Sequence, residues 1–491
     1  VNLLLAAPIL LPILGAALSI LVGRWRSVQR TIGLVTLTGV LGCTVALAVL
    51  ADRDGPMSTQ GGDWPAPIGI TLIVDRLAAI MLVLGALMLL AVLVYAIGQG
   101  GAEQDHVGFH PIYLTLAAGV SAAFLTGDLF NLFVAFEIML TSSYVLLTLG
   151  GRRDQVRSGM TYIVISLVAS ALFLTAIGFV YASTGTVNMA QLAEELTRLP
   201  VGLRQALVLF LLGVFGIKAA IFPLFFWLPD SYPTAPTAVT AVFAGILTKV
   251  GVYAIIRTQT LLLEPADRPG ALLLGIAAVT MIVGVLGAIA QNDIKRILSF
   301  HIVSQIGYMI MGLGLFTVAG LAGAIFYIVH HIVVKTTLFL VGGLVEHKTG
   351  TGHLDRVGGL QRTAPLLALV FLATALSLAG LPPLSGFVAK FALVGAGLES
   401  EAWVVVGVSL LVSVLTLFSM TKIWAGVFGG EVHPPVESQR RMPALMLAPT
   451  IGLTVVSLTI ALLAGPMYGL ADRAATELLD PQVYRTEVLG S

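Results

Sequence analysis

The strongest constraint on this chain is a succession of apolar runs, each about twenty residues long, separated by short clusters of charge, proline and glycine. About 20 apolar residues cross the roughly 30 Å hydrocarbon core of a bilayer as a helix. Breaking the runs at those clusters predicts about fourteen spans, at 2–22, 31–50, 73–97, 111–126, 128–149, 160–182, 203–227, 236–262, 271–290, 297–316, 319–345, 363–393, 402–428 and 445–470. No connecting segment is long enough for a soluble domain. The apolar and polar alternation of a membrane β-barrel is absent, so the spans are helices, whose backbone groups bond within their own segment. Only 10% of residues are charged and 57% are hydrophobic, against about 25% charged in a soluble domain. The expected fold class is all-α: a polytopic membrane protein.

Near-neutral charge, 26 Lys and Arg against 25 Asp and Glu, leaves no basic footprint for nucleic acid. The single Cys43 excludes an internal disulfide and a Cys-ligated cluster, and reads as a small buried residue. No phosphate loop, dinucleotide fingerprint, zinc helix or haem motif occurs. The expectation is a transport subunit rather than an enzyme, with no cofactor and no metal ligands. Basic residues after the first run, Arg24 and Arg26, fit an uncleaved first span rather than a signal peptide. Arg24, Arg26, Arg30, Arg152, Arg153, Arg157, Lys295, Arg296, Lys348, Arg356, Arg362, Arg440 and Arg441 all fall in odd-numbered loops. By the positive-inside rule those loops are cytoplasmic and both termini lie outside.

With few charges available, those at mid-membrane depth carry the information. They are Glu137, Lys218, Lys249, Lys335 and Lys390, each costing about 2.5–3.5 kcal/mol at a helix centre. Glu137, Lys218 and Lys249 lie about ten residues from water, roughly 15 Å at 1.5 Å per residue, too far to snorkel. His331 shares a helical face with Lys335, four residues on, and His330 and His301 are accessory candidates. Burial weakens an ammonium, whereas a carboxylate about 4 Å away returns roughly 4 kcal/mol at an effective dielectric of 20, about three powers of ten in proton affinity. Such a row can switch between holding and releasing protons.

Prolines interrupt two spans, at Pro223 close to Lys218 and at Pro382-Pro383 close to Lys390. In a membrane, freed backbone is tolerated only inside protein or beside water. Broken helices five spans apart are the pattern of an inverted repeat, which divides the chain into spans one to three (1–110), a first repeat of spans four to eight (111–262), a second of spans nine to thirteen (263–428) and a last span with a short tail (429–491). For a sodium ion, which wants clustered oxygens, the chain offers only Asp75 and Asp128 near spans. Asp75 with Arg76 reads as an interfacial pair, and Asp128 as an accessory residue of the row.

Phe133-Val-Ala-Phe-Glu137, Lys218-Ala-Ala-Ile-Phe-Pro223-Leu-Phe-Phe-Trp227-Leu-Pro-Asp230-Ser-Tyr-Pro, Gly245-Ile-Leu-Thr-Lys249, Asn292-Asp-Ile-Lys295-Arg296, Ser304-Gln-Ile-Gly-Tyr308 and His331-Ile-Val-Val-Lys335 resemble the antiporter-like family shared by respiratory complex I and the Mrp-type multisubunit Na+/H+ antiporters. The resemblance covers nearly the whole chain. It implies fourteen helices with two inverted five-helix repeats, a Glu137/Lys218 pair, a central Lys249, a bridging His331 and Lys335, and a terminal Lys390. It also implies work within a complex of membrane subunits in the cell membrane, moving protons to drive Na+ export. A proton-pumping subunit of a complex I-like NADH:quinone oxidoreductase or membrane-bound hydrogenase is the alternative reading.

Overall fold

The computed structural model describes residues 2–106, 108–430 and 441–490; Arg440, counted above among the basic loop residues, lies outside the described residues. In chain order the principal helices are α1 (Asn2–Leu21), α2 (Arg26–Asp54), α3 (Arg76–Gln99), α4 (Phe109–Leu125), α5 (Leu129–Thr148), α6 (Arg153–Thr184), α7 (Val201–Ala219), α8 (Thr237–Leu261), α9 (Gly270–Ile289), α10 (Ile294–Gly314), α11 (Val318–Thr349), α12 (Pro365–Ala379), α13 (Ser385–Glu399), α14 (Trp403–Phe428), α15 (Ala444–Leu462), α16 (Ala464–Leu479) and α17 (Pro481–Leu489). Among the described residues, twelve helices are long and apolar enough to cross a membrane. The expected spans at 111–126 and 363–393 fall on the shorter α4 and on α12 with α13. Helices outrun the apolar runs, as where α6 starts at Arg153, because backbone hydrogen bonding continues past the hydrocarbon edge into polar residues. The expected short tail after 470 is itself helical and includes α17, which reaches back to a small hairpin, β1 (Met57–Gln60) and β2 (Thr71–Val74), through Ser58 and Glu487.

Burial sorts the helices into layers. The apolar stretches of α8 and α11 are wholly buried and that of α10 nearly so, whereas α1, α2 and α15 bury about a third of theirs. A helix apolar all round belongs at the centre of such a bundle, and the two wholly enclosed helices carry Lys249 and Lys335. At one margin of the molecule Glu103 pairs with Arg30 and His110. Burial pushes its carboxyl up, but those two hydrogen-bond partners outweigh burial and hold it at about 2.

Both expected breaks are present. α7 ends where Ala220 takes φ +59°, and α12 ends where Gly380 takes φ +89°. Several of the groups released there find partners: the Trp227 indole donates to Ile217 O at 3.0 Å, and Phe222 N donates to Thr280 Oγ1 at 3.1 Å. A second correspondence links α5–α6 with α10–α11. Asp128 caps α5 and Asp293 caps α10, at 2.8 and 3.0 Å, and each residue forms an isolated antiparallel bridge, to Asn188 and His353 respectively. The segments after α6 and α11 fold alike, Thr186 N on Thr184 Oγ1 and Thr351 N on Thr349 Oγ1, each after a 32-residue helix. Every pair in this set is 165 residues apart. Five helices, α5 to α9, separate the two motifs, the odd spacing an inverted repeat requires.

Candidate functional site

Glu137 projects from α5, Lys218 from the last turn of α7 and Ser170 from α6 between them. The Ser170 hydroxyl donates to Glu137 Oε1, and Lys218 Nζ lies 3.4 Å from both Ser170 Oγ and Ser166 O. No direct ion pair joins Glu137 and Lys218 among the described residues. The ammonium also lies 5.6 Å from the Phe136 ring centroid. A cavity lined by Tyr162, Ser166, Trp227 and Tyr232 reaches Lys218, with 30 Å³ open to water centres, where one water needs about 10–15 Å³.

Lys249 stands just past a π-helical turn, Phe243–Leu247, in the middle of α8. Such turns leave a carbonyl free of its usual partner, and Lys249 Nζ donates to Ala244 O at 2.5 Å. The turn presses against α11: a Cβ on Gly245 would meet Thr336 Oγ1 at 2.3 Å. That contact brings Lys249 within electrostatic range of Lys335 and His331.

On α11, Lys335 Nζ and both ring nitrogens of His331 are buried with no hydrogen-bond partner among the described residues. His331 stacks against Tyr327 at 6.3 Å, and Lys335 lies 5.8 Å from the Phe339 centroid. Thr248 Oγ1 and Thr336 Oγ1 are unpaired in the same region. Buried polar atoms without protein partners are ordinarily met by ordered water. His330 points elsewhere, with Nδ1 2.9 Å from Ser385 Oγ, and His301 Nε2 lies 2.9 Å from Ser419 Oγ. Elsewhere on α10, Gln305 meets Tyr327, while Tyr308 donates to Ser409 O.

Lys390 reaches back from α13 to the broken end of α12. Its Nζ donates to Leu378 O at 3.1 Å, Ala379 O at 3.0 Å and Ser413 Oγ at 2.8 Å. A helix C-terminus carries a partial negative charge, so this site suits a cation.

Asp128 is the N-cap of α5, nine residues or roughly 13 Å along the helix from Glu137. One reading from sequence needs correction: Asp75 and Arg76 do not pair with each other. Asp75 caps α3 and meets Arg257 of α8 at 2.5 Å, whereas Arg76 bonds Asp52 and Glu477. Arg257 lies between the loop charges that set orientation and the mid-span charges that mark depth, so neither criterion selects it. Its signal was present, two helical turns beyond Lys249 on the same face. Ser170 gave less warning, since a serine in an apolar helix can bond its own backbone.

Fold and site together define a polytopic helical membrane protein of the transporter class, assembled from inverted repeats around buried titratable side chains. Residues 126–416 match the family model described as NADH:quinone oxidoreductase/Mrp antiporter, transmembrane. The chain belongs to that family. It is 43% identical over 492 residues to the D subunit of the Na+/H+ antiporter of Alkalihalophilus pseudofirmus, covering 99% of each. A chain in the solved Mrp complex from Dietzia sp. DQ12-45-1b superposes with TM-score 0.94 at 34% identity, covering 100% of both chains. A chain of the membrane-bound sulfane sulfur reductase, an archaeal respiratory membrane complex, superposes with TM-score 0.89 at 24% identity over 99% of both, a likeness of fold alone.

Proposed function

We propose that this chain is a proton-translocating membrane subunit of a multisubunit Na+(cation)/H+ antiporter, working with other membrane subunits in the cell membrane, with both termini on the outer side. Protons pass along Glu137, Lys218, Lys249, His331, Lys335 and Lys390, with His330 and His301 beside the path. The observation that carries this reading is the placement of Lys249 and Lys335 on the two helices enclosed by all the others. Two amines are held there in electrostatic range, one with a single backbone acceptor and the other with none among the described residues, so a proton on one disfavours a proton on the other. A proton arriving at Lys218 and Lys249 therefore favours release from His331 and Lys335 toward Lys390. The matched Asp128 and Asp293 motifs support residues 111–262 and 263–428 as the two repeats, each supplying half of the path.

The full-length identity to the D subunit of a Na+/H+ antiporter favours sodium as the coupled ion. The redox-driven reading has the less specific support of a family model shared by both kinds of complex and a likeness of fold. In everted vesicles carrying the whole complex, a sodium pulse without any redox substrate should collapse a preformed pH gradient. Lys249→Ala should abolish that response with the complex still assembled, and sodium-driven proton movement at the wild-type rate in that variant would overturn the proposal.

A further inference from the structure

The Ser170 hydroxyl has a neighbour on each side that the sequence singled out, yet nothing assigns it a role. It donates to Glu137 Oε1 and lies 3.4 Å from Lys218 Nζ, whose N–H groups it can accept. The donors therefore run in one direction, from ammonium through hydroxyl to carboxylate. Ser170 is buried, and it comes from a third helix, α6, rather than from either of the helices it connects.

A second, independent observation concerns its place in the repeat. α6 and α11 have the same length, start and end 165 residues apart, and close on the same threonine motif. In that register Ser166 corresponds to His331 and Ser170 to Lys335. The first repeat thus holds a serine pair, four residues apart, where the second holds the histidine and lysine of the row.

We propose that Ser170 is the proton-carrying link between Lys218 and Glu137, the first repeat's counterpart of Lys335. In the step it supports, an N–H bond of the Lys218 ammonium breaks as its proton bonds Ser170 Oγ. The original Ser170 O–H bond breaks as that proton bonds the Glu137 carboxylate. One proton moves from amine to carboxylate and the serine ends neutral; with its hydroxyl turned the other way the same two exchanges run in reverse, passing a proton from Glu137 to a neutral Lys218, which is the direction of the path. The hydroxyl also holds the two charges one atom apart, where a direct ion pair would fix the proton on the lysine.

This inference rests on the antiporter reading, and the test separates the two. Sodium-driven proton movement is measured in everted vesicles holding the complete complex, with assembly of each variant followed by co-purification of the other membrane subunits. Lys218→Ala reports on the reading itself. Ser170→Thr and Ser170→Val have the same shape and differ by a hydroxyl against a methyl. The threonine variant should retain activity within about threefold, and valine and Ser170→Ala should each lose roughly tenfold or more, with a changed solvent deuterium isotope effect on what remains. Equal rates for threonine and valine, or a wild-type rate in Ser170→Ala while Lys218→Ala is inactive, would overturn it. Should the bulkier pair fail to assemble, the alanine variant decides alone.

Discussion

An ammonium has three N–H donors, and Lys390 finds an acceptor for each of them, whereas Lys335 finds none among the described residues. The two lysines therefore do opposite things for stability. Replacing Lys390 by Met strips Leu378 O, at the broken end of α12, of its donor, while Ala379 O keeps the Ser413 hydroxyl; a buried carbonyl left unpaired costs about 1–3 kcal/mol. Replacing Lys335 by Met removes a buried polar atom that has no protein partner, and is expected to leave stability unchanged or raised. Both variants should lose antiport. Thermal unfolding of the purified complex separates them; equal destabilisation would contradict this account. Residue identity and depth were legible in the sequence for both lysines, because 1.5 Å of rise per residue fixes depth. Their difference in partners was not, since Ser413 and the α12 carbonyls approach Lys390 from other elements.

At the scale of elements, the row depends on close helix contacts that leave no room for a side chain. A Cβ on Gly251 of α8 would lie 2.6 Å from Ala219 N and 2.9 Å from Lys218 C. Those atoms are backbone at the end of α7 and cannot rotate away. Gly251→Ala should push α7 from α8 and shift Lys218 relative to Lys249, at a cost of about 1–3 kcal/mol for overpacking. The expected result is an assembled complex with a lowered melting midpoint and several-fold slower antiport, and unchanged transport would show that the two lysines tolerate the displacement. Of these elements, the proline breaks near Lys218 and Lys390 could be read directly, because proline cannot continue a helix. The π-turn before Lys249 could not: Phe243 to Leu247 is an ordinary apolar stretch, and only the press of Thr336 on Gly245 marks it.

At the scale of the whole molecule, orientation is a charge argument. The proposed topology, drawn from the basic residues of the odd-numbered loops, has Arg153 on the cytoplasmic side and Trp64, in the hairpin before α3, on the outer side. Cys43 is the only cysteine, so a Cys43→Ser background allows single-site labelling with an impermeant maleimide in intact cells. Trp64→Cys should label from outside and Arg153→Cys only after the membrane is opened; the reverse pattern would invert the topology and the direction assigned to the path.

The sequence by itself determined that this chain crosses a membrane many times as helices, where the breaks fall, how deep each charge sits and which family its motifs resemble. All of these depend on properties carried along the chain: run length, hydropathy, proline and the regular rise of a helix. Only the tertiary structure decided which side of each helix faces which neighbour. It joined Ser170 to Glu137 and Lys218, set Asp128 at the cap of α5, and gave Asp75 to Arg257. In an apolar solvent local hydrogen bonding fixes the helix, but the rotation and partner of each helix come from packing between residues far apart in the chain, and pairing is what turns isolated buried charges into a path.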